Sequence, residues 1–136
     1  MINSAIPMRR NWILLLFVFL LLSCGKRFEI KTPDMILDGN AQTVEMKATA
    51  FFGLREIYRW HYNENGDLIE DKYPIEDPTS THNYVGDWFE IHVDDTDSRI
   101  ARLTVSANET GLARKISIRA ACWGKEDCIH VTQNPL

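Results

Sequence analysis

The chain has 136 residues, with 15 Lys and Arg against 19 Asp and Glu, a formal net charge of −4 and 45% hydrophobic residues. This length suits one domain with one core. The acidic balance argues against nucleic acid, whose phosphates call for a basic patch, and against an electrostatic membrane contact through the folded domain.

Arg9 and Arg10 precede an unbroken apolar run of eleven residues, 12–22, and Ser23-Cys24-Gly25 follows. A run that short suits the h-region of a signal peptide, whereas a membrane-spanning helix needs about 20 residues. The "LLSC" stretch resembles the lipobox of bacterial lipoproteins, which implies cleavage before Cys24 and its acylation. One acyl chain anchors only marginally, so the two or three chains of such a lipoprotein give durable attachment to a membrane. The expected organisation is a signal peptide over 1–23, a lipidated tether over 24–34 and a domain over 35–136. Without the signal peptide the chain keeps 13 Lys and Arg and all 19 Asp and Glu, a net charge of −6.

"QTVEMKATA" alternates Val44, Met46 and Ala48 against Thr43, Glu45 and Lys47, the period of a strand with one wet face. Gly53 is expected to break or bend the extended run after it. "REIYRWHYNENGDLIEDKY" carries Asn65-Gly66, the favoured two-residue type I′ hairpin dipeptide, between two alternating runs. Such a turn sets Tyr62 opposite Ile69, Trp60 opposite Asp71 and Tyr58 opposite Tyr73, on a face whose default explanation is core. Residues 74–83 read as a long loop. "GDWFEIHV" is a strand with Phe89, Ile91 and Val93 on one face. "IARLTVSAN" is another with Leu103 and Val105, and "RKISIRAAC" with "CIHVTQ" forms a hairpin around "WGKED". Strands at short spacing, with no apolar period of 3.6 beyond the signal peptide, indicate an all-β, immunoglobulin-like β-sandwich of roughly seven to eight strands.

An even pair of cysteines in an exported chain, Cys122 and Cys128, favours a structural disulfide over metal or redox chemistry. The pattern contains a conflict, however. Packing Ile116, Ile118, Ala120 and Cys122 together with Ile129 and Val131 demands a register that cannot set Cys122 opposite Cys128. A bulge, a position beyond the regular ladder, or free thiols would each resolve it.

"DWFEIHVDD", "RLTVSANETGLARKISIRA" and "IHVTQNPL" resemble the BACON domain, an immunoglobulin-like sandwich common in Bacteroidetes lipoproteins and glycan-processing proteins. The resemblance rests on Trp88, the apolar strand at 103–108 ending in Asn108, Arg114 and Val131-Thr132-Gln133, with residues 38–48 similar to the family's first strand. It implies carbohydrate or mucin binding, or a spacer role. The stretch 51–83 is longer and more aromatic than the family pattern, and the cysteine pair is foreign to it.

Catalysis has little support: there is no Gly-x-Ser-x-Gly elbow, and the carboxylates are scattered as on any acidic surface. Neither a metal nor another cofactor is expected. "NENGD" lacks the later positions of a calcium loop, "DDTD" at 94–97 reads as a solvated turn, and the four histidines have no ligand spacing. Asn108-Glu109-Thr110 fits a glycosylation sequon but reads as a turn. Sugar binding by a sandwich uses exposed rings, so the candidate ligand-binding residues are Trp123, Trp88, Trp60, Tyr58 and Tyr62. Trp123, in a polar loop, is the best placed for exposure. Trp88 is read two ways, outward by strand alternation and inward by the family pattern. The expected protein is a non-catalytic lipoprotein of the cell envelope, on the outer membrane with its face left open. Its expected partner is a glycan or, alternatively, an envelope protein that it serves as an accessory or spacer subunit.

Overall fold

The computed structural model describes residues 28–73 and 82–136. The signal peptide expected over 1–23, Cys24 and most of the loop expected over 74–83 lie outside the described residues. Among the described residues nine strands carry the fold: β1 (Met35–Leu37), β2 (Gln42–Lys47), β3 (Gly53–Tyr62), β4 (Leu68–Lys72), β5 (Asn83–Val85), β6 (Phe89–Val93), β7 (Ile100–Val105), β8 (Arg114–Cys122) and β9 (Lys125–Gln133). They form two sheets, β1-β9-β8-β3-β4 and β2-β7-β6-β5, packed as an immunoglobulin-like β-sandwich. Every pairing is antiparallel except β1 with β9. No helix among the described residues is long and apolar enough to cross a membrane.

The core lies between the sheets, where alternation along each strand sends one set of side chains inward. Ile116, Ile118 and Ala120 of β8 and Ile129 and Val131 of β9 meet Ile91 and Val93 of β6 and Leu103 and Val105 of β7, all essentially solvent-free. Met46 and Ala48 are buried and Val44 packs beside them, as the alternation of "QTVEMKATA" requires. The tether expected over 24–34 is shorter than its residues suggested. Phe28 is buried against Phe52, edge to face at 6.1 Å, and Ile30 is buried with its N–H donating to Asp127 Oδ2 at 2.8 Å. Apolar residues at 28 and 30, on the same face of the extended chain, let this segment join the sandwich. Gly53 opens β3 rather than breaking it. A Cβ there would stand 2.5 Å from the Ala121 carbonyl oxygen, so only glycine lets the two strands approach.

Two local irregularities set the direction of the aromatic stripe. The β3–β4 hairpin pairs Tyr62 with Leu68, Trp60 with Glu70 and Tyr58 with Lys72, one residue away from the expected register. The side chain of Asn63 accepts the N–H groups of Asn65 and Asp67, and Gly66, at φ +82°, donates to the Asn63 carbonyl. The turn is therefore longer than the expected two-residue type I′, with glycine alone in the left-handed region. The second irregularity is a bulge. Leu54 pairs with Ala120 and Glu56 with Arg119, leaving Arg55 as the extra residue. Leu54 and Ile57 consequently both point inward, and Tyr58, Trp60 and Tyr62 point out, contrary to the core placement expected for them. The bulge is held from the opposite sheet, since the buried Tyr84 hydroxyl donates to the Arg55 carbonyl at 3.0 Å.

Arg55 itself is exposed, so Arg55→Ala is expected to change stability by no more than about 0.5 kcal/mol. Deleting Arg55 must slip one half of β3 by a residue and turn either Leu54 or Ile57 out of the core. The deletion is expected to cost more than about 3 kcal/mol, or to abolish a cooperative transition, in urea unfolding followed by circular dichroism.

Candidate functional site

The outer face of the five-stranded sheet carries a row of rings. On a strand, alternate residues stand about 6.6 Å apart, so Tyr58, Trp60 and Tyr62 line one edge of a polar field supplied by β8 and β9. Tyr58 donates to Glu56 Oε2 at 2.7 Å, with the Arg119 guanidinium 5.4 Å from its ring centroid. Lys72 donates to the other Glu56 oxygen at 2.6 Å, and that bond, followed by the one from Tyr58, holds the Glu56 carboxyl below its usual range. The Trp60 indole N–H donates to Ser117 Oγ at 3.1 Å, and Ser117 Oγ lies 2.7 Å from His130 Nδ1. Ser117 is almost fully covered although it faces outward, because the indole lies across it. The Lys115 ammonium sits 4.7 Å from the Trp60 centroid.

Where the row ends, a cleft of about 400 Å³ opens, lined by Trp60, His61, Tyr62, Leu68, Lys115 and Thr132 together with the 112–114 segment. Apolar walls with a few convergent polar groups are the usual make-up of a small-ligand site. Tyr62, Leu68 and Leu112 are 60%, 54% and 63% exposed at its rim. Of these residues the sequence marked only Trp60 and Tyr62 as ligand-binding candidates. Leu68, Leu112, Lys115 and Thr132 come from three other segments, and only the register of β3, β8 and β9 brings them together.

Trp88 is not in this site. It is half-buried against the core, 5.2 Å from the Phe89 ring, with the Arg114 guanidinium 4.3 Å above its face. Arg114 also donates to Gln133 Oε1 at 2.9 Å and to the Ser106 carbonyl at 2.8 Å. Buried Asn108 joins the same knot, donating to the carbonyls of Leu112, Gln133 and Asn134 and accepting from Thr110. The residues that carry the resemblance, Trp88, Asn108, Arg114 and Gln133, thus form one structural cluster that closes the cleft end of the sandwich. Buried and fully engaged, Asn108 is no acceptor for glycan.

Trp123 stands at the other end of β8, about 26 Å away at the strand rise. Cys122 pairs with Lys125, so the β8–β9 turn is only Trp123-Gly124, with φ of +50° and +75°. Two successive positive φ angles make a type I′ turn, in place of the longer "WGKED" loop. A left-handed tryptophan costs about 1–2 kcal/mol, where asparagine or glycine would cost little. Its ring is 88% exposed and meets Phe51, 42% exposed, edge to face at 6.5 Å.

This tight turn also settles the cysteines against the expected disulfide. Cys122 points into the core, while Cys128 pairs with Arg119 and points to the outer face, so both thiols are free. Burial pushes each thiol pKa up. Iodoacetamide added to the denatured chain from Gly25 onward, without reductant, is expected to label two thiols in the intact mass; a disulfide would allow none.

The turn at 94–97 uses its own carboxylates. Asp94 accepts from the Thr96 hydroxyl, from Arg102 at 2.5 Å and from the N–H groups of Thr96 and Asp97. These bonds, Thr96 first and Arg102 second, hold its carboxyl far below the usual range. A depressed native pKa adds stability above the unfolded value, and that contribution disappears as pH falls through the native one. Asp94→Asn is therefore expected to lower the melting temperature at pH 7, with the gap to the native chain narrowing steadily below about pH 4. A gap that stays constant to pH 2 would contradict this assignment. Asn63 and Asp67 likewise bond within their own hairpin, and no cluster of His, Cys, Asp or Glu arranged to hold a metal ion is present among the described residues.

No family model and no curated protein matches the chain. Among solved structures it is similar to a protein from Bacteroides thetaiotaomicron determined by NMR, at 11% identity and a TM-score of 0.58 over 82% of this chain and 90% of that one. This likeness shows the fold alone. A chain in a structure on T cell specificity and activation by the bacterial superantigen toxic shock syndrome toxin-1 matches at 12% identity and a TM-score of 0.42, over 82% of this chain and 100% of that one, and carries no argument.

Proposed function

We propose that this protein is a non-catalytic, lipid-anchored lipoprotein of the cell envelope, on the outer membrane, that binds a carbohydrate chain on the outer face of its five-stranded sheet. The observation that carries this reading is the outward row of Tyr58, Trp60 and Tyr62 running into the cleft beside Lys115 and Thr132. Rings about 6.6 Å apart in one line offer a row of apolar platforms along which an extended chain can lie. Indole and phenol faces take the apolar side of a pyranose, and Lys115, Arg119, His130 and Thr132 supply donors and acceptors for its hydroxyls and any carboxylates. The lipobox at Cys24 supports the anchor, and the BACON resemblance supports a glycan as ligand.

A protein partner is the second reading, favoured by the apolar rim of Tyr62, Leu68 and Leu112. Titrating the chain with a panel of host and plant glycans by calorimetry separates the two. Under the carbohydrate reading at least one glycan binds, and Trp60→Ala and Tyr62→Ala each weaken it about five- to tenfold, a loss of about 1 kcal/mol per ring. Absence of binding across the panel, with an envelope protein captured in a Tyr62-dependent way, would support the second reading instead.

A further inference from the structure

The Trp123 turn is unexplained by the carbohydrate site, which lies at the opposite end of β8. Three observations fix what stands near it. Phe28, the first described residue, is buried against Phe52, the neighbour of Phe51. The Ile30 N–H is bonded to Asp127, two residues beyond the Lys125 that closes the Trp123-Gly124 turn. The Ala121, Cys122 and Trp123 segment shares a hollow with Phe51, Phe52 and Gly53. The N-terminal end of the fold and the exposed aromatic pair therefore occupy one pole of the sandwich.

Cys24 is four residues from Phe28, and four residues span no more than about 14 Å. An acylated Cys24 in a bilayer would hold this pole at the membrane surface, with no long linker to let the domain tumble away. Trp and Phe side chains favour the interface between headgroups and acyl chains, Trp because its ring is apolar and its N–H is wet. The turn sequence points the same way, since a strained tryptophan stands 88% exposed where asparagine or glycine would suit the backbone better. We propose that Phe51 and Trp123 insert into the lipid interface beside the anchor and hold the domain upright, with the cleft of Trp60 and Tyr62 facing away from the membrane. The contact is apolar rather than electrostatic, as the net charge of −6 beyond the signal peptide demands, and needs no anionic lipid. This inference rests on the lipidation of Cys24 proposed above.

The test uses the full-length protein, processed in a host that acylates lipoproteins and reconstituted into phosphatidylcholine vesicles carrying brominated acyl chains. Trp123→Phe keeps a ring at the turn and removes one fluorophore, so the difference between native and variant emission isolates Trp123. The expected result is a blue-shifted Trp123 component that brominated lipid quenches by more than half and aqueous iodide barely quenches, unchanged at high salt. An acylated protein whose Trp123 stays open to iodide and untouched by brominated lipid overturns the docking alone. So does a Trp123 shielded in detergent-free solution by self-association or by a bound protein. An intact mass without acyl chains on Cys24 overturns the anchor and the docking with it.

Discussion

The geometry of the outer face depends on one extra residue in β3. Strand side chains alternate with a period of two, so the parity that buries Leu54 would also bury Tyr58, Trp60 and Tyr62 if the pairing with β8 ran unbroken. The bulge at Arg55 changes that parity, and Ile57 takes the inward place opposite Ile118 while the rings emerge beside Arg119, Ser117 and Lys115. Tyr84 reaches across the sandwich to the Arg55 carbonyl, which ties the irregular backbone to the second sheet. The bulge therefore exchanges three buried aromatic rings for a surface row. The core loses little, because Ile57, Ile116 and Ile118 fill the sheet's inner face.

The central strand β8 links the two ends of the molecule. At its start, Arg114 stacks on Trp88 and bonds to Gln133, and Asn108 gathers the nearby carbonyls, so the end that forms the cleft is rigidly closed. At its finish, the tight Trp123-Gly124 turn fixes the register with β9, brings Ile129 and Val131 inward beside Ile116 and Ile118, and sends Cys128 out. One strand thus sets the cleft, the core and the exposed tryptophan tip in a fixed relation. That relation suits the proposed binding face at one pole and the proposed membrane contact at the other.

Much of the fold was legible because it follows from alternation. The inward faces of β2, β6, β7 and β8 could be read from Met46, Phe89, Leu103 and Ile116 with their neighbours two residues away, and the hairpins from Asn65-Gly66 and the terminal cysteine segment. The site was much less legible. Alternation gives the two faces of a strand but not which face is inside, and a bulge leaves almost no mark in sequence. The Asn63 side chain moved the hairpin register by one residue, where the Asn-Gly dipeptide pointed to a shorter turn. The register conflict around Cys122 has a physical origin. The register that the apolar residues demand is the one present, with Ile116 opposite Val131 and Ile118 opposite Ile129, and it leaves the two thiols unbonded. Phe28 and Ile30 do not read as core, because two apolar residues after a lipobox-like stretch look like tether, and only Phe52 and Asp127, distant in sequence, bring them in.

Whether the Arg55 bulge turns the aromatic row outward can be read from cross-strand nuclear Overhauser contacts in the labelled domain. With the bulge in place, backbone contacts are expected to join Leu54 to Ala120 and Ile57 to Ile118, with the Trp60 indole proton close to Ser117 and no contact from the Tyr58 or Trp60 rings to Ile91 or Leu103. Contacts joining Glu56 to Ile118 and Ile57 to Ser117, with the rings against the β6 and β7 core, would mean an unbroken ladder and would contradict the bulge.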